Sequence, residues 1–478
     1  MAVTNSTFPL TCLHDGTENA GQGRPLTVLD KYTLTPVAEG AEASVDQMTA
    51  MIDSAQRAFT GGAPGAYERG EILDRAAHLL AQRAEEMMTT IMAESGFTAS
   101  DARGEVTRCQ QTLRLSAEEA RNLRGEVVPL AGAPGQGRRM GFTLRVPLGV
   151  VLAVTPFNSP LNTVCHKVAP AFAAGNAVVL KPASATPLTA LALGRVLLEA
   201  GMPPGFLSVM PGGAEVTQAA IADSRVRFIA FTGSTGVGRA IQQAAGLRRT
   251  QMELGSIAFT ILADDADLDR ALPKITGAGY RKAGQVCTSV QVVLVQRVRL
   301  EEATDRLTAA VHAVHYGDPR MAGTVTGPLI SEREAARVDT WIEEALSQGA
   351  TRLAGGKRKG AVVPPTLLTD ITPDMRVLSE EVFGPVVSLL PFDTIEEAVS
   401  RVNATPYGLA TGVFTNRLDS AFDLARSLEV GGVHINETSS SRVDLMPYGG
   451  SKDSGFGREG PRYAVEEMTE QRIVTITP

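Results

Sequence analysis

Cysteine is scarce and scattered. The 478-residue sequence has four, Cys12, Cys109, Cys165 and Cys287, with no C-x-x-C pair and no Cys/His spacing suited to a metal. Neither a disulfide framework nor a metal site is therefore expected. Long apolar runs are missing as well: the longest, Val146 to Phe157, is too short to span a bilayer. The amino-terminal stretch MAVTNSTFPLTC lacks the basic-then-apolar layout of a signal peptide, so the expectation is a soluble, cytoplasmic protein. Nor is there an excess of positive charge. Lys and Arg number 45 against 52 Asp and Glu, a net charge of -7, which disfavours nucleic acid and anionic membrane as partners but leaves room for a local basic pocket. Aromatic residues make up only 5%, yet hydrophobic residues reach 44%, and a chain of this length buries a large core unaided. Disorder and collagen-like repeats are excluded. A prior of roughly 150 residues per domain gives two or three domains.

What the sequence does hold is a change of pattern along the chain. Residues 1 to about 45 are rich in Gly, Pro and Thr and suggest irregular structure or short strands. From Ser44 to about Leu123, apolar residues recur at helical spacing, as in ILDRAAHLLAQRAEEMMTTIMAES (Ile72 to Ser95), and three or four amphipathic helices are expected. Val128 to Gly149 reads as a hairpin around a Gly-rich turn. Apolar strands at Gly149–Thr155, Ala177–Leu180, Leu207–Met210 and Phe228–Phe231 then alternate with helical segments at Leu161–Ala174, Pro187–Ala200, Ala214–Ile221 and Thr235–Ala245. That alternation predicts a parallel sheet with crossover helices, whose ligands bind at the carboxyl ends of the strands. Each strand ends there in turn chemistry: TPFN, KPAS, MPGG and FTGS. A second alternating run, from near Met252 to about Val433, predicts a second α/β domain. The tail RIVTITP (Arg472 to Pro478) is a β-prone strand with no neighbour in sequence, expected to pair with something distant, another chain included.

Three local features can carry chemistry. Cys287 in GQVCTS precedes the strand SVQVVLVQ. Free cysteine is more often a small buried hydrophobe, but the neighbours Gly284, Gln285, Thr288 and Ser289 suit a turn that presents a nucleophile. Glu253 in MELGS is either a strand-end residue or a partly buried carboxyl with a raised pKa, and the second state suits a general base. GSTGVG (Gly233 to Gly238) follows the strand RFIAF and opens a helix. It is either a structural turn or a place where backbone N–H groups meet a phosphate, and it departs from the G-x-G-x-x-G fingerprint.

TPFNSP (Thr155 to Pro160), VLKPAS (Val179 to Ser184), FTGSTGVG, MELG, GQVCTS, EEVFGP (Glu380 to Pro385) and PYGGSKDSGFGREG (Pro447 to Gly460) occur in that order. This succession resembles the aldehyde dehydrogenase superfamily over nearly the whole chain. The resemblance implies an α/β fold with a Rossmann-type parallel-sheet cofactor domain (1-127 and 146-252) and an α/β catalytic domain (253-445). A small β oligomerisation element (128-145 and 462-478) completes it, with a homodimer or homotetramer as the assembly. It also implies oxidation of an aldehyde to the carboxylic acid with NAD or NADP. Cys287 would attack the aldehyde to form a thiohemiacetal, Asn158 and the Cys287 backbone N–H would form the oxyanion hole, and Glu253 would activate the water that hydrolyses the thioester. Acyl-CoA-forming relatives dispense with a glutamate at that position, so Glu253 favours hydrolysis. A CoA-acylating dehydrogenase and an inactive scaffold protein are the rival readings. For the cofactor, the resemblance puts Lys181 on the adenosine ribose, Ser234 near the pyrophosphate, Glu381 on the nicotinamide ribose and Phe383 beside the ring. Thr155, Pro156, Phe157, Gly213, Phe231, Gly233 and Leu254 would surround it. Ser184 stands where NAD-preferring members often carry Glu; it removes a charge that would repel a 2′-phosphate and leaves both cofactors open.

The family's substrate tunnel maps here onto Arg108, Ser159, Asn162, His166 and Arg442, with Thr288 beside the nucleophile. All are polar, where members that oxidise fatty or aromatic aldehydes are largely apolar. Two Arg aimed at one tunnel imply an anionic ligand, because an unpaired buried guanidinium is costly. The expected substrate is thus a short aldehyde bearing a phosphonate, phosphate or carboxylate. RVDLMPYGG around Arg442 looks most like the phosphonoacetaldehyde, lactaldehyde and non-phosphorylating glyceraldehyde-3-phosphate dehydrogenases. A phosphonoaldehyde, of the phosphonoacetaldehyde or phosphonoformaldehyde type, is the first expectation, with lactaldehyde, glyceraldehyde-3-phosphate or a semialdehyde as alternatives. Val286, where several phospho-aldehyde enzymes place Arg, and Ser159, where some carry His, are departures that suit a smaller or differently held anion.

Overall fold

The computed structural model describes residues 8–477; residues 1–7, where the stretch read against a signal peptide begins, and Pro478 at the end of the tail lie outside the described residues. The Gly/Pro-rich start forms four short strands, Cys12–His14, Thr17–Asn19, Pro25–Leu29 and Pro36–Ala41. Four helices follow: α1 (Val45–Gly61), α2 (Ala66–Gln82), α3 (Ala84–Ser95) and α4 (Ala99–Asn122). Their starts are encoded locally. Ser44 and Gln47 form a reciprocal capping box at α1, and the Thr98 side chain accepts from the Asp101 N–H at α4.

The alternation beyond Gly149 is a parallel sheet. Strands Val150–Val154, Ala177–Lys181, Leu207–Val209, Val226–Thr232 and Arg249–Glu253 pair in parallel, linked by α5 (Asn162–Ala173), α6 (Leu188–Glu199), α7 (Ala214–Ala222) and α8 (Thr235–Ala245). Cys12–His14 extends one edge and Gly455–Phe456 the other, both antiparallel. Every residue of Val150–Val154 is buried, which is why this strand reads as an unbroken apolar run rather than an alternating one. The register sets Val154 beside Lys181 and Phe231, and Thr232 beside Glu253. Thr155, Lys181, Gly233 and Glu253 therefore open on the same carboxyl edge, where parallel sheets bind ligands.

A second sheet of seven strands has the order Thr351–Ala354, Thr366–Thr369, Val386–Phe392, Val290–Gln296, Ala258–Leu262, Ala410–Phe414 and Gly432–Ile435. Only its edge strand Thr351–Ala354 runs antiparallel. Helix α9 (Leu268–Tyr280) leads through a tight turn to Cys287 and into Val290–Gln296. Among the described residues no helix is long and apolar enough to cross a membrane.

The tail finds its partner at home. Thr469–Ile476 pairs antiparallel with Met140–Pro147 of the same chain, Thr469 opposite Pro147 and Ile476 opposite Met140, and Val127–Val128 takes the other side. One side of this strand is thus satisfied by the hairpin, and its other side is a sheet edge. Asn176 joins the tail to the first sheet. Fully buried, its amide donates to the Met468 carbonyl (2.9 Å) and its oxygen accepts from the Gly149 N–H (2.9 Å). Asn176→Ala leaves that N–H and that C=O unpaired. Urea denaturation should then register a loss of about 1–3 kcal/mol, and an unchanged midpoint would mean the two bonds contribute nothing to the fold.

Candidate active site

Cys287 stands on backbone that its own sequence resists. Lys282, Ala283 and Gly284 all adopt left-handed φ angles, +51°, +53° and +69°. That conformation costs a non-glycine residue roughly 1–2 kcal/mol, so the surroundings must hold it. Lys282 Nζ donates to Glu105 Oε1 (2.8 Å) and to the Asn158 carbonyl (3.0 Å), and lies 4.4 Å from the Phe97 ring centroid. The Gln285 amide donates to the Lys282 carbonyl (3.1 Å), and its oxygen accepts from the Ile330 N–H (2.8 Å). Gly284 admits no side chain, because a Cβ there would lie 2.0 Å from the Gly384 carbonyl oxygen. Asn158 Nδ2 donates to the Gln285 carbonyl (2.9 Å), which uses one of its two amide hydrogens on the nucleophile's loop.

Around the sulfur the charges are buried and paired. The Tyr448 hydroxyl lies 2.8 Å from Cys287 Sγ. Glu253, at its strand end, interacts with Cys287 and keeps Oε1 without a hydrogen-bond partner. Burial, then the charge of Glu459, push the Glu253 carboxyl above its ordinary range, with Arg442 and Lys167 acting the other way. Burial and the Glu253 charge likewise push the Cys287 thiol well up. Behind them Lys167 Nζ (3.0 Å) and Arg442 Nη2 (2.8 Å) both donate to Glu459. Burial opposes the Glu459 charge, but these two cations more than offset it and hold the carboxyl well below the usual range. One carboxylate shared by two cations leaves a surplus positive charge, available to whichever of Cys287 and Glu253 is ionised.

These residues line a cavity of about 1510 Å³, beyond the roughly 300–1,000 Å³ of a single small-ligand pocket. Every residue expected at the site lines it except His166. One half is built from the strand ends and α7–α8: Thr155, Pro156, Phe157, Lys181, Ser184, Gly213, Phe231, Gly233, Ser234 and Leu254, with Ile221, Val237 and Ile241 as an apolar wall. This half fits a dinucleotide. No side chain caps α8, so its first N–H groups are free for a phosphate, and a Cβ at Gly233 would press to 2.6 Å from the Phe231 ring. Thr155 Oγ1 is buried without a partner, and Ser184 Oγ donates only to the Gly212 carbonyl (3.3 Å). Glu381 accepts from the Ser256 N–H (2.9 Å), and burial pushes its carboxyl up to about 7. Phe383 meets Phe157 edge to face at 5.9 Å.

The other half departs from expectation. His166 is fully buried behind the wall, its Nε2 2.8 Å from Asp444 Oδ1, so it supports the loop and does not reach a ligand. Asp444 also accepts from Arg108 Nη2 (2.7 Å), Arg108 Nε (3.2 Å) and Asn162 Nδ2 (3.1 Å). Arg108 thus has its counter-ion, and Arg442 has Glu459. The two arginines read as unpaired are both paired. Ser159 Oγ donates to both Glu105 oxygens (2.8 Å each), and Thr288 Oγ1 donates to Ser440 Oγ (3.4 Å). The cation the sequence reading overlooked is Arg281. It donates to Ser440 Oγ (2.7 Å), it lines the cavity, and no carboxylate among the described residues forms an ion pair with it. Burial lowers its pKa, with the more distant Asp101 and Glu105 charges partly restoring it. Glu105 and Tyr448 were overlooked too. Glu105 had a signal, a carboxylate on the apolar face of α4 between Ala102 and Cys109.

Comparison with known proteins agrees with this geometry. The model of the aldehyde dehydrogenase family matches residues 18–474. The 3-sulfolactaldehyde dehydrogenase of Priestia megaterium (strain ATCC 12872 / QMB1551) is 46% identical over 452 residues, 94% of each chain. Aldehyde dehydrogenase 21 of Physcomitrella patens, solved in complex with the reaction product succinate, superposes with a TM-score of 0.96 at 38% identity, covering 99% of each chain. The NADP-dependent glyceraldehyde-3-phosphate dehydrogenase of Bacillus halodurans C-125, solved with NADP, superposes with a TM-score of 0.95 at 32% identity over 98% of this chain and 99% of that one.

The Gly284 environment makes a direct prediction. Gly284→Ala forces the Gly384 backbone away and displaces Cys287. It should destabilise the protein by at least about 1 kcal/mol and remove most Cys287-dependent activity, read by thermal melting and alkylation rate. Wild-type behaviour in both would mean the turn is not required.

Proposed function

The chain belongs to the aldehyde dehydrogenase family and is an NAD(P)-dependent aldehyde dehydrogenase; from that premise we propose that its substrate is a short aldehyde bearing a single negative charge. A sulfonate comes first and a carboxylate second. Arg281 carries this reading: a half-buried guanidinium on the cavity wall without a counter-ion is costly, and an anionic substrate supplies one. Arg108 is already matched by Asp444, and Lys282 by Glu105, so the substrate end offers one uncompensated positive charge. That balance suits a monoanion better than the phosphonate or phosphate expected from the sequence, whose second ionisation lies near pH 6. The sulfolactaldehyde relative supports sulfonate, and the succinate bound in the Physcomitrella enzyme supports carboxylate.

In this reading Cys287 attacks the aldehyde carbon. The second amide hydrogen of Asn158 and the Cys287 N–H receive the developing oxyanion, a kind of contact worth about 3 kcal/mol in the transition state. Bound NAD(P) supplies the hydride acceptor. Glu253 then takes a proton from the water that hydrolyses the thioester, and burial, by raising its pKa, makes it the stronger base. Lys181 and Ser184 hold the adenosine ribose, Gly233, Ser234 and the start of α8 the pyrophosphate, and Glu381 the nicotinamide ribose. Ser184 brings no carboxylate to the adenosine ribose, but Glu42 lies close to Gly213 and acts on Lys181, so NAD and NADP both stay open. Exposed Met140, Ile473 and Ile476 on the three-stranded sheet support assembly into a homodimer or homotetramer.

A panel of sulfonate, carboxylate, phosphonate and neutral aldehydes, each assayed with NAD and NADP, tests the substrate reading. Arg281→Met should lower kcat/KM for the monoanions by about 10–100-fold and leave a neutral aldehyde of equal length nearly unchanged; an equal loss on both would defeat the proposal. Glu253→Gln should leave a single burst of reduced cofactor with little turnover after it. In the wild type the base must be deprotonated, so turnover should rise with pH through a midpoint above the ordinary glutamate value of 4.5. Undiminished steady-state turnover in Glu253→Gln would remove Glu253 from the hydrolytic role.

A further inference from the structure

Tyr448 touches the reacting atom, and nothing in the reaction as described so far uses it. Its hydroxyl oxygen lies 2.8 Å from Cys287 Sγ and makes no other hydrogen bond among the described residues. The Arg442 guanidinium lies 3.7 Å from the Tyr448 ring centroid, at stacking distance from the aromatic face. Arg442 is fixed there by Glu459 (2.8 Å), and Glu459 by Lys167 (3.0 Å), so the arrangement is braced from α5. A thiolate only accepts hydrogen bonds, and the phenol is placed to donate one. A cation on the ring face withdraws electron density and strengthens that donor.

We propose that Tyr448 is a catalytic residue that donates its hydroxyl hydrogen bond to the Cys287 sulfur as the thiolate forms, and that Arg442 is a positioning residue which keeps the ring aimed and polarised. The proposal rests on Cys287 being the nucleophile. It gives the paired, stacked Arg442 a task at the sulfur, where the sequence had placed it on the substrate. The charged groups around Cys287 are Glu253 from the strand Arg249–Glu253, Arg281 from the left-handed turn, and Arg442 from the loop before Tyr448, with Glu459 and Lys167 behind. Burial and Glu253 oppose the thiolate; the Tyr448 hydrogen bond and the Arg442 charge favour it. Loss of the hydroxyl alone should therefore make the thiolate harder to form.

The test is the pH dependence of iodoacetamide alkylation at Cys287, followed in the full-length enzyme by mass spectrometry of its peptide; Cys12, Cys109 and Cys165 are buried. Tyr448→Phe should move the midpoint upward by about one pH unit, and Arg442→Lys should move it the same way by less. 3-Fluorotyrosine at position 448, a more acidic phenol, should move it downward, a response that a purely space-filling ring would not give. Superimposable wild-type and Tyr448→Phe profiles overturn the proposal. If Tyr448→Phe does not fold, an unmoved midpoint in the fluorotyrosine protein overturns it instead. Assaying the alkylated enzyme separates the two levels. Full aldehyde oxidation after Cys287 alkylation overturns the nucleophile reading and the proposal with it, whereas inactivation with unmoved midpoints overturns the role of Tyr448 alone.

Discussion

The ion pair between Lys282 and Glu105 is the constraint on which the position of Cys287 depends. Lys282 sits in a left-handed conformation that only outside contacts can sustain, and its ammonium is buried. Glu105 holds that ammonium while also accepting from the Ser159 hydroxyl and the Asn162 N–H. Burial alone would neutralise this carboxyl, but Lys282 and the Asn162 N–H more than offset it and keep it ionised. One buried carboxylate thus ties α4, the approach to α5 and the catalytic turn into a single rigid corner. Removing either partner would leave a lone buried charge, which typically costs about 3–5 kcal/mol. The amino-terminal helices therefore do more than cover a sheet; they carry the anchor for Cys287.

A second regularity is the placing of surplus charge. Along the cavity wall Arg108 is matched by Asp444 and Lys282 by Glu105. Two places near Cys287 do not balance. At the sulfur, Lys167 and Arg442 share one carboxylate, and at the substrate end Arg281 has only a hydroxyl. Each leaves one positive charge where the proposed chemistry brings one negative charge, the ionised Cys287 or Glu253 in the first case and the substrate's anion in the second.

Much of the fold was legible because its signals are local. The strands beyond Gly149 are buried along their length and read as apolar runs, and α1–α4 show helical spacing and caps within a few residues of their ends. Strand-end turns placed Thr155, Lys181 and Gly233 on one edge; the register bears this out and adds Glu253. The errors share a cause. The counter-ions of Arg108 and Arg442 and the seclusion of His166 depend on contacts beyond the reach of a local motif. Arg281 was passed over because a lone arginine after a helix looks like a solvated one, and only its lack of a carboxylate marks it out.

By itself the sequence determined the α/β class, the order of its elements and the family motifs, because periodicity, caps, turn residues and short motifs act over a few positions. Tertiary structure alone decided which cavity-lining arginine among the described residues is left without a counter-ion, which histidine is walled off, and that a tyrosine hydroxyl rests on the sulfur. Those are properties of charge pairing and approach in three dimensions. They are set by Asp444, Glu459 and Tyr448, which reach Arg108, Arg442 and Cys287 only once the carboxyl-terminal loop packs against α4, α5 and the catalytic turn.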